Sequence, residues 1–425
     1  MEEEKRTEQT ESMEAAEPAA VSVSKASSKS SKQRPIYWGI SPLVCVLLCA
    51  LCGCIGVFTA WLCYEEKYAD YQDIWDAMDI VEDEYYFYDE ETKEKMIVGA
   101  MKGIAAYIDD KYAEYYTDEE YAALLQSDSG NYIGVGISVV ETAVGEFYIK
   151  AVFPNTPASE AGLLSEDRLL FINGHSCEGL ELEDFLAFIS HEEGDVNTLE
   201  VERQGETLSF TMTMREVYQP FVEYKMLEGN IGYICITEFH GSADEEVEKA
   251  MAALKEQGME NLVLDLRDNP GGSLTVVCGV AEQFLPKDSL ITTIRSRSGW
   301  EDAYYTHKEG SGIPMTVLIN GSSASASELL SGALKDYSRA VLFGTTTYGK
   351  GIVQTFYGVK GNIGGVMKLT TDAYFTPNNV CIHGEGIAPD YEVELPEDVF
   401  YYNVYSIPYE QDTQLQAAVE YLKGH

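Results

Sequence analysis

The chain of 425 residues carries 71 acidic and 29 basic side chains, which give it a formal net charge of −42 at pH 7. This excess of negative charge argues against nucleic-acid binding, which depends on basic residues that neutralise phosphates. The length is sufficient for two or three domains with cores of their own. The nine cysteines and six histidines show none of the spacings that indicate a metal site or a disulfide framework.

The N-terminal part of the chain predicts a disordered tail and a membrane anchor. Residues 1–34 are mainly Glu, Ser, Ala and Lys and cannot bury enough apolar surface to fold. Residues 35–63 follow without a charged side chain, and roughly 20 such residues span a bilayer. The run is too long for the apolar region of a cleavable signal peptide, which is the alternative, and no clear cleavage site follows it. We therefore predict a transmembrane helix over residues 36–63.

The charges beside this helix predict its orientation. Three lysines and Arg34 lie between residues 25 and 34, whereas Glu65 and Glu66 follow the apolar run. Because basic residues mark the cytoplasmic side, the short tail is expected in the cytoplasm and everything after residue 64 outside it. The prediction is a single-pass protein of the cell membrane whose large C-terminal part is extracytoplasmic.

The next segments predict a helical arm and then a strand-rich domain. Residues 66–127 contain no proline and place apolar side chains at helical spacing. From residue 131 the apolar pattern alternates as in strands, with two short helical stretches between them. This order of elements resembles a PDZ domain over about residues 129–214.

The predicted peptide site of this domain begins at Gly134-Val135-Gly136-Ile137. A glycine-rich loop before an exposed strand offers N–H groups to a chain-terminal carboxylate, and the strand edge can pair with an extended peptide. The glycines alone would also fit a plain turn. Candidates for the apolar pocket that receives the last side chain are Ile137, Phe185 and Ile189.

Residues 217–425 alternate strands and helices and predict an α/β layered domain. One strand runs into Gly321-Ser322-Ser323-Ala324-Ser325-Ala326-Ser327-Glu328, and a helix follows at once. A hydroxyl at such a junction lies near a helix N-terminus, which favours developing negative charge. The segment is a candidate nucleophile site, although a small-residue helix cap would have the same composition.

A lysine is the remaining candidate for the base. The chain has no Gly-x-Ser-x-Gly motif, and its scattered histidines do not indicate a Ser-His-Asp triad. Lys350 lies between two glycines 25 residues after Ser325, and Gln354 follows four residues later. A buried lysine can be neutral, and a glutamine can orient its amine. Gly271 and Gly272 end a turn whose amides can face an oxyanion. A solvated loop charge and a plain turn are the ordinary alternatives.

Four segments together resemble the carboxyl-terminal processing proteases, which are tail-specific S41-type serine peptidases with a PDZ domain. The segments are LDLRDNPGG at 264–272, NGSSASASELLSGALKDYSRAVLFG at 320–344, YGKGIVQ at 348–354 and FTPNN…GEGIAPD within 375–390. The resemblance covers about residues 70–425. It implies an α/β protease core with an inserted PDZ domain, preceded by a helical arm and one N-terminal transmembrane helix.

The resemblance also implies roles for single residues. Ser325 corresponds to the nucleophile, Lys350 to the general base and Gln354 to the residue that positions the lysine. The amide of Ala326, with that of Gly271 or Gly272, corresponds to the oxyanion hole. The chain departs from the common pattern at residues 268 and 378–379, away from these groups. The resemblance also assigns Arg267 and Glu328 to the shaping of the site.

The resulting hypothesis is a membrane-anchored endopeptidase that binds the C-terminal tails of exported proteins through its PDZ domain and cleaves near them. The resemblance implies no metal and no organic cofactor, and it implies that the PDZ domain gates the site. One alternative is a non-catalytic PDZ scaffold, and another is a protease of signal transduction that cleaves one specific partner. The helical arm and the last helix both suit a homodimer, and a monomer stays open beside it.

Overall fold

The structure, a computed structural model, describes residues 41–142, 145–180, 187–190, 192–396, 399 and 404–424. The predicted tail over residues 1–34, most of the predicted second PDZ helix and Phe185 lie outside these residues. The chain divides at Tyr85–Tyr86 into two compact units, which are taken one after the other.

The first unit contains two helices. Helix α1 (Pro42–Tyr68) begins with a proline, which suits the first turn because that N–H has no partner within a helix. A single 3₁₀ turn (Ala69–Tyr71) joins it to α2 (Gln72–Glu84). Within α1, Val44–Cys63 has 20 residues, a mean hydropathy of 2.4 and exposed side chains. By length and composition this segment can cross a membrane, since it would extend about 30 Å.

The second unit opens with a strand between two helices. Helix α3 (Glu90–Ala106) is capped by Asp89 and α4 (Asp118–Asp128) by Thr117, whose side chains accept backbone N–H bonds. Between them, β1 (Glu114–Tyr116) pairs with Val366–Lys368, so the predicted helical character of residues 66–127 is wrong at these positions. The physical reason is that Tyr115 and Tyr116 both favour strand conformation, and the edge of the distant strand over residues 366–368 supplies their hydrogen bonds.

The next strands form a small sheet that begins with an edge strand. The elements are β2 (Asn131–Gly134), β3 (Ile137–Glu141), β4 (Phe147–Val152), α5 (Pro157–Ala161), β5 (Arg168–Ile172), β6 (His175–Ser176), β7 (Val196–Arg203), β8 (Glu206–Thr213) and β9 (Arg215–Tyr218). The strand order is β3-β4-β5-β7-β8, with β6 beside β5, while β2 pairs with β9. Strand β3 therefore has one neighbour among the described residues, and its outer edge is open to an added strand.

The remaining residues form the α/β core. Its elements are β10 (Val222–Leu227), β11 (Ile231–Ile236), α6 (Ala243–Glu256), β12 (Asn261–Asp265), α7 (Leu274–Ala281), β13 (Leu290–Ser296), β14 (Glu301–Tyr305), β15 (Met315–Ile319), α8 (Ala326–Asp336), β16 (Val341–Gly344), β17 (Ile352–Gly358), β18 (Val366–Phe375), β19 (Tyr391–Glu392), a 3₁₀ turn (Val404–Ser406) and α9 (Thr413–Gly424). A six-stranded sheet runs in the order β10-β11-β12-β15-β16-β19, parallel except at its first pair.

The layers of this core explain its apolar strands. Buried side chains of α6, α7 and α8 pack on one face of the sheet, and those of α9 pack on the other. Strands β12 and β15 are buried on both faces, as expected for inner parallel strands. A second sheet, β1-β18-β13-β14 with β17 beside β18, stands next to it. The carboxyl ends of β12 and β15 meet at one edge, which is where α/β sheets place their sites.

A buried arginine fixes the end of β12 to α9. The Arg267 guanidinium contacts Asp265 at 2.6 Å and Asp412 at 2.8 Å, and it donates to Gln414 at 2.9 Å. Burial opposes its charge, but the two carboxylates outweigh burial and raise the pKa of Arg267 well above its usual value. The turn that carries Gly271 and Gly272 therefore starts from a rigid point.

Candidate active site

One cleft of about 1000 Å³ brings the predicted groups together. Ser325, Lys350, Gln354, Gly271 and Gly272 all line it. These residues come from the turn after β12, the turn after β15 and the loop that leads into β17. The cleft is concave, largely apolar and supplied with a few polar groups, as expected of a binding site.

The turn that carries Ser325 is strained and held from both sides. Ser325 is buried and adopts φ 54° and ψ −112°, which costs a non-glycine residue about 1–3 kcal/mol. The Ser323 hydroxyl donates to the Leu266 carbonyl at 2.7 Å, and the Ser327 hydroxyl donates to the Asn269 carbonyl at 2.9 Å. Ser323 and Ser327 therefore bind the turn after β12. Of the three buried serines in this segment, Ser325 is the one that lines the cleft.

The glycine turn lies directly against this serine. Gly271 has a φ of 111°, and a Cβ at this position would lie 2.7 Å from the Cβ of Ser325. The Gly271 N–H donates to the Asn269 side chain at 2.9 Å, whereas the amides of Gly272 and Ala326 make no hydrogen bond within the described ranges. Ala326 opens helix α8, where an amide without a partner is normal. Two N–H groups therefore stay available near Ser325.

A buried carboxylate joins the turn that carries Ser325 to the loop that carries Lys350. Glu328 is fully buried and accepts four hydrogen bonds, two on each oxygen. Its Oε2 accepts from the amides of Ser325 and Lys350, both at 2.8 Å. Its Oε1 accepts from the Thr347 hydroxyl at 2.6 Å and the Gly349 amide at 2.7 Å. The backbones on both sides of the site are therefore held in one frame.

The amine of Lys350 is half-buried in a basic environment. Burial lowers its pKa, and the nearby charges of Lys368 and Lys111 lower it further, while Tyr348 and Glu328 act in the opposite direction. The resulting pKa lies below that of an ordinary lysine, so a larger fraction of the amine is neutral at a given pH.

The side-chain contacts of the site are not those of a closed triad. The Lys350 amine lies 4.4 Å from the centre of the Tyr112 ring, and the Gln354 amide donates to the Thr370 hydroxyl at 3.2 Å. No hydrogen bond joins the Ser325 and Lys350 side chains in the part of the chain that the structure describes. Ligand-free sites often have such loose geometry and tighten when substrate binds.

Three residues in or beside the cleft carry no signal in the local sequence. Tyr374 is buried and lines the cleft together with Ser325. Burial raises the pKa of Tyr374, while the nearby Ser325 side chain lowers it. Lys368 and Tyr112 approach Lys350 from β18 and from the loop before β1. All three belong to chain segments that meet the site through tertiary structure alone.

The predicted peptide loop lies beside the open strand β3. Gly134 ends β2 opposite Arg215, and the carbonyls of Val135 and Gly136 accept hydrogen bonds from the amides of α5 and of the loop before it. The N–H groups of Val135 and Gly136 make no hydrogen bond in the described residues. Ile137 begins β3, and Ile189 packs at the margin of the small domain's core.

Comparisons with known proteins match this architecture. The profile of Peptidase family S41 matches residues 230–393, and that of a PDZ domain matches residues 148–203. The probable CtpA-like serine protease of Staphylococcus saprophyticus is 29% identical over 384 residues, which cover 88% of this chain and 77% of the relative. The probable CtpA-like serine protease of Staphylococcus aureus (strain MRSA252) is 30% identical over 314 residues. That match covers 73% of this chain and 62% of the relative, so the chain spans less than two thirds of that protein's length.

A solved structure shows the same fold. A Bacteroides fragilis protein assigned to the S41 proteases is 20% identical with a TM-score of 0.53, and the match covers 80% of this chain and 91% of that one. The resemblance read from the sequence and the predicted fold class are confirmed. The chain therefore contains a peptidase family S41 domain and a PDZ domain.

Proposed function

We propose that the protein is a serine endopeptidase that uses Ser325 as nucleophile and Lys350 as general base. The observation that carries the proposal is their placement in one cleft, joined by the buried carboxylate of Glu328. A strained serine beside free amides and a lysine of lowered pKa are the parts that acyl transfer needs.

The reaction follows from these positions. Neutral Lys350 removes the proton of the Ser325 hydroxyl, and the oxygen attacks the peptide carbonyl carbon. The amides of Ala326 and Gly272, or Gly271 after its own hydrogen bond opens, donate to the oxyanion. Protonated Lys350 then gives its proton to the leaving amine. Water, deprotonated by the same lysine, hydrolyses the acyl-enzyme.

The PDZ domain supports recognition of a polypeptide's C-terminus. Its edge strand β3 can pair with an extended tail, and the free amides of Val135 and Gly136 suit a terminal carboxylate. The pocket for the last side chain would include Ile137, Ile189 and Phe185. We propose that binding there delivers the tail to Ser325 and shifts the enzyme toward an active arrangement.

The wider organisation is part of the same proposal. The apolar helix α1 would anchor the chain in the cell membrane, with the N-terminus in the cytoplasm and the peptidase outside. The proposed domain bounds are residues 129–214 for the PDZ domain and 217–425 for the peptidase, with residues 66–127 between anchor and catalytic part. The substrates would be exported proteins with accessible C-terminal tails.

The direct test is cleavage of a peptide with an apolar C-terminal residue by the full chain in detergent. We expect the wild type to cleave it, and we expect Ser325→Ala and Lys350→Ala to lose cleavage while their unfolding transitions stay cooperative. Ser322→Ala is the matched control, because Ser322 is exposed and lies three residues away. Cleavage by Ser325→Ala at the wild-type rate would remove the nucleophile assignment.

Tail recognition needs a separate measurement. A peptide with an amidated C-terminus lacks the carboxylate and should show a higher KM than the free acid. Equal KM values would contradict recognition of the terminus by the PDZ domain. Binding of the free acid without any cleavage by the wild type would instead favour the PDZ scaffold over the peptidase.

A further inference from the structure

The loop between α3 and β1 reaches the active site from a part of the chain far from the catalytic motifs. Asp110 and Tyr112 belong to this loop, more than 200 residues before Ser325. Strand β1, which follows directly, pairs with β18 and so fixes the loop beside the strand that faces Gln354. The loop contacts Lys350 directly and Gln354 through one intervening residue, and both are among the three proposed catalytic side chains.

The first contact path runs from Asp110 through Thr370 to Gln354. Asp110 accepts two hydrogen bonds from Thr370, one from its amide at 3.0 Å and one from its hydroxyl at 3.2 Å. The same hydroxyl accepts the hydrogen bond of the Gln354 amide group. Gln354 and Thr370 stand opposite each other in the β17–β18 ladder next to a register shift, so their side chains lie on the same face.

The donor and acceptor roles along this path fix one orientation of Gln354. Burial opposes the ionisation of Asp110, but hydrogen bonds from the Tyr112 and Thr370 amides outweigh it and hold the pKa of its carboxyl below the usual value. A carboxylate only accepts, so the Thr370 hydroxyl must donate to it. That hydroxyl can then accept from the NH₂ group of Gln354. The amide oxygen of Gln354 is thereby left to accept a hydrogen bond from a lysine amine.

The second contact path runs from Asp110 through Tyr112 to Lys350. The Tyr112 amide donates to Asp110 at 3.0 Å, which sets the backbone of the loop. The Tyr112 ring then lies 4.4 Å from the Lys350 amine, at cation–π distance. The Asp110 carboxylate therefore contacts both Tyr112, which lies beside Lys350, and Thr370, which is hydrogen-bonded to Gln354.

We propose that Asp110, acting through Thr370, is a positioning residue that orients Gln354 toward Lys350. The inference rests on the proposed function, since it gives a role to the glutamine of the Ser-Lys-Gln site. Asp110 and Thr370 do not take part in bond making. Their contribution is the direction of the Gln354 amide, and a misdirected amide would leave the neutral lysine poorly aligned with Ser325.

The test uses Thr370→Val, which keeps the shape and strand preference of threonine and removes the hydroxyl. We expect the full chain in detergent to cleave the tail peptide with a kcat about 10- to 100-fold lower and an unchanged KM. Thr370→Ser retains the hydroxyl and should restore most of the wild-type kcat. Asp110→Ala should lower kcat as Thr370→Val does.

A double substitution separates positioning from general destabilisation. Because both residues act through the glutamine, adding Thr370→Val to Gln354→Ala should lower kcat no further than Gln354→Ala alone. Asp118→Ala is the matched control. Asp118 also holds the β17–β18 hairpin, by accepting from the Gly365 amide at 3.0 Å, but within the described residues it makes no hydrogen bond with Thr370. It should lower the free energy of unfolding and leave kcat unchanged.

The outcomes distinguish this proposal from the proposed function. Wild-type kcat in Thr370→Val, or additive losses in the double variant, would overturn the positioning role while loss of activity in Lys350→Ala still supports the peptidase. An equal loss in Asp118→Ala would also overturn it, since the whole hairpin and not Thr370 would then carry the effect. Full activity of Lys350→Ala would remove the proposed function and the positioning role together.

Discussion

Replacing Glu328 with glutamine tests whether one buried carboxylate holds the turn that carries Ser325 and the loop that carries Lys350 in register. Each of its two oxygens accepts two hydrogen bonds. Glutamine keeps one acceptor oxygen and places an NH₂ group against the donors on the other side. We therefore expect Glu328→Gln to fold and to lose most of its activity, because the loop that carries Lys350 must move away from this conflict.

The magnitude follows from the least costly orientation of the new side chain. With the NH₂ group toward Thr347 and Gly349, the Thr347 hydroxyl can reverse and accept, but the Gly349 amide has no acceptor left. A buried donor without a partner costs about 1–3 kcal/mol. If this cost falls on the transition state, kcat drops roughly 5- to 150-fold, since about 1.4 kcal/mol corresponds to a factor of ten.

The assay is steady-state cleavage of the tail peptide together with urea unfolding of each variant. Glu246→Gln is the matched control, because the Glu246 carboxylate also accepts two amide hydrogen bonds, from Phe221 and Val222, both at 2.9 Å. Its amide oxygen can accept both of these hydrogen bonds, so this substitution should leave kcat unchanged. A wild-type kcat in Glu328→Gln, or the same loss of kcat in Glu246→Gln, would contradict this role of Glu328.

Three further predictions concern charge, stability and space. Lys368→Gln removes a positive charge near Lys350 and should therefore raise the pKa of Lys350, which moves the acid limb of the kcat–pH profile to higher pH. An acid limb that stays in place or moves to lower pH would contradict the assignment of Lys350 as the base. Arg267→Met leaves two buried aspartates unpaired and should lower the free energy of unfolding in urea by about 3–5 kcal/mol, whereas a loss under about 1 kcal/mol would argue against the buried network. Gly271→Ala places a methyl group 2.7 Å from the Cβ of Ser325 and should abolish most of kcat, so an unchanged kcat would mean that the turn yields at little cost.

Three of the site residues that the sequence predicted, Ser325, Lys350 and Gln354, lie close to one another along the chain. The strand before Ser325 and the helix after it follow from apolar runs and small residues, and the spacing to Lys350 and Gln354 follows from the family resemblance. The structure places these three residues in one cleft. Their catalytic roles stay predictions, as do the roles of the PDZ loop.

The contributors that the sequence did not predict come from distant segments. Asp110 and Thr370 are 260 residues apart, and their contact depends on the pairing of β1 with β18. Residues 114–116 lie in a stretch of helical composition, where local propensity gives no sign that a distant strand edge would recruit them. Tyr374 is one tyrosine among 29, and only the fold places it beside Ser325.

The proposal that Lys350 activates Ser325 is tested most directly by identifying the serine that a serine-reactive fluorophosphonate modifies. We expect a single labelled serine, Ser325, identified by peptide mapping, because this hydroxyl lies in one cleft with Lys350, the proposed base, and beside free amides that would stabilise the adduct. We also expect Lys350→Ala to lose the labelling. Labelling at another serine, or labelling of Lys350→Ala at the wild-type rate, would contradict the claim that Lys350 activates Ser325.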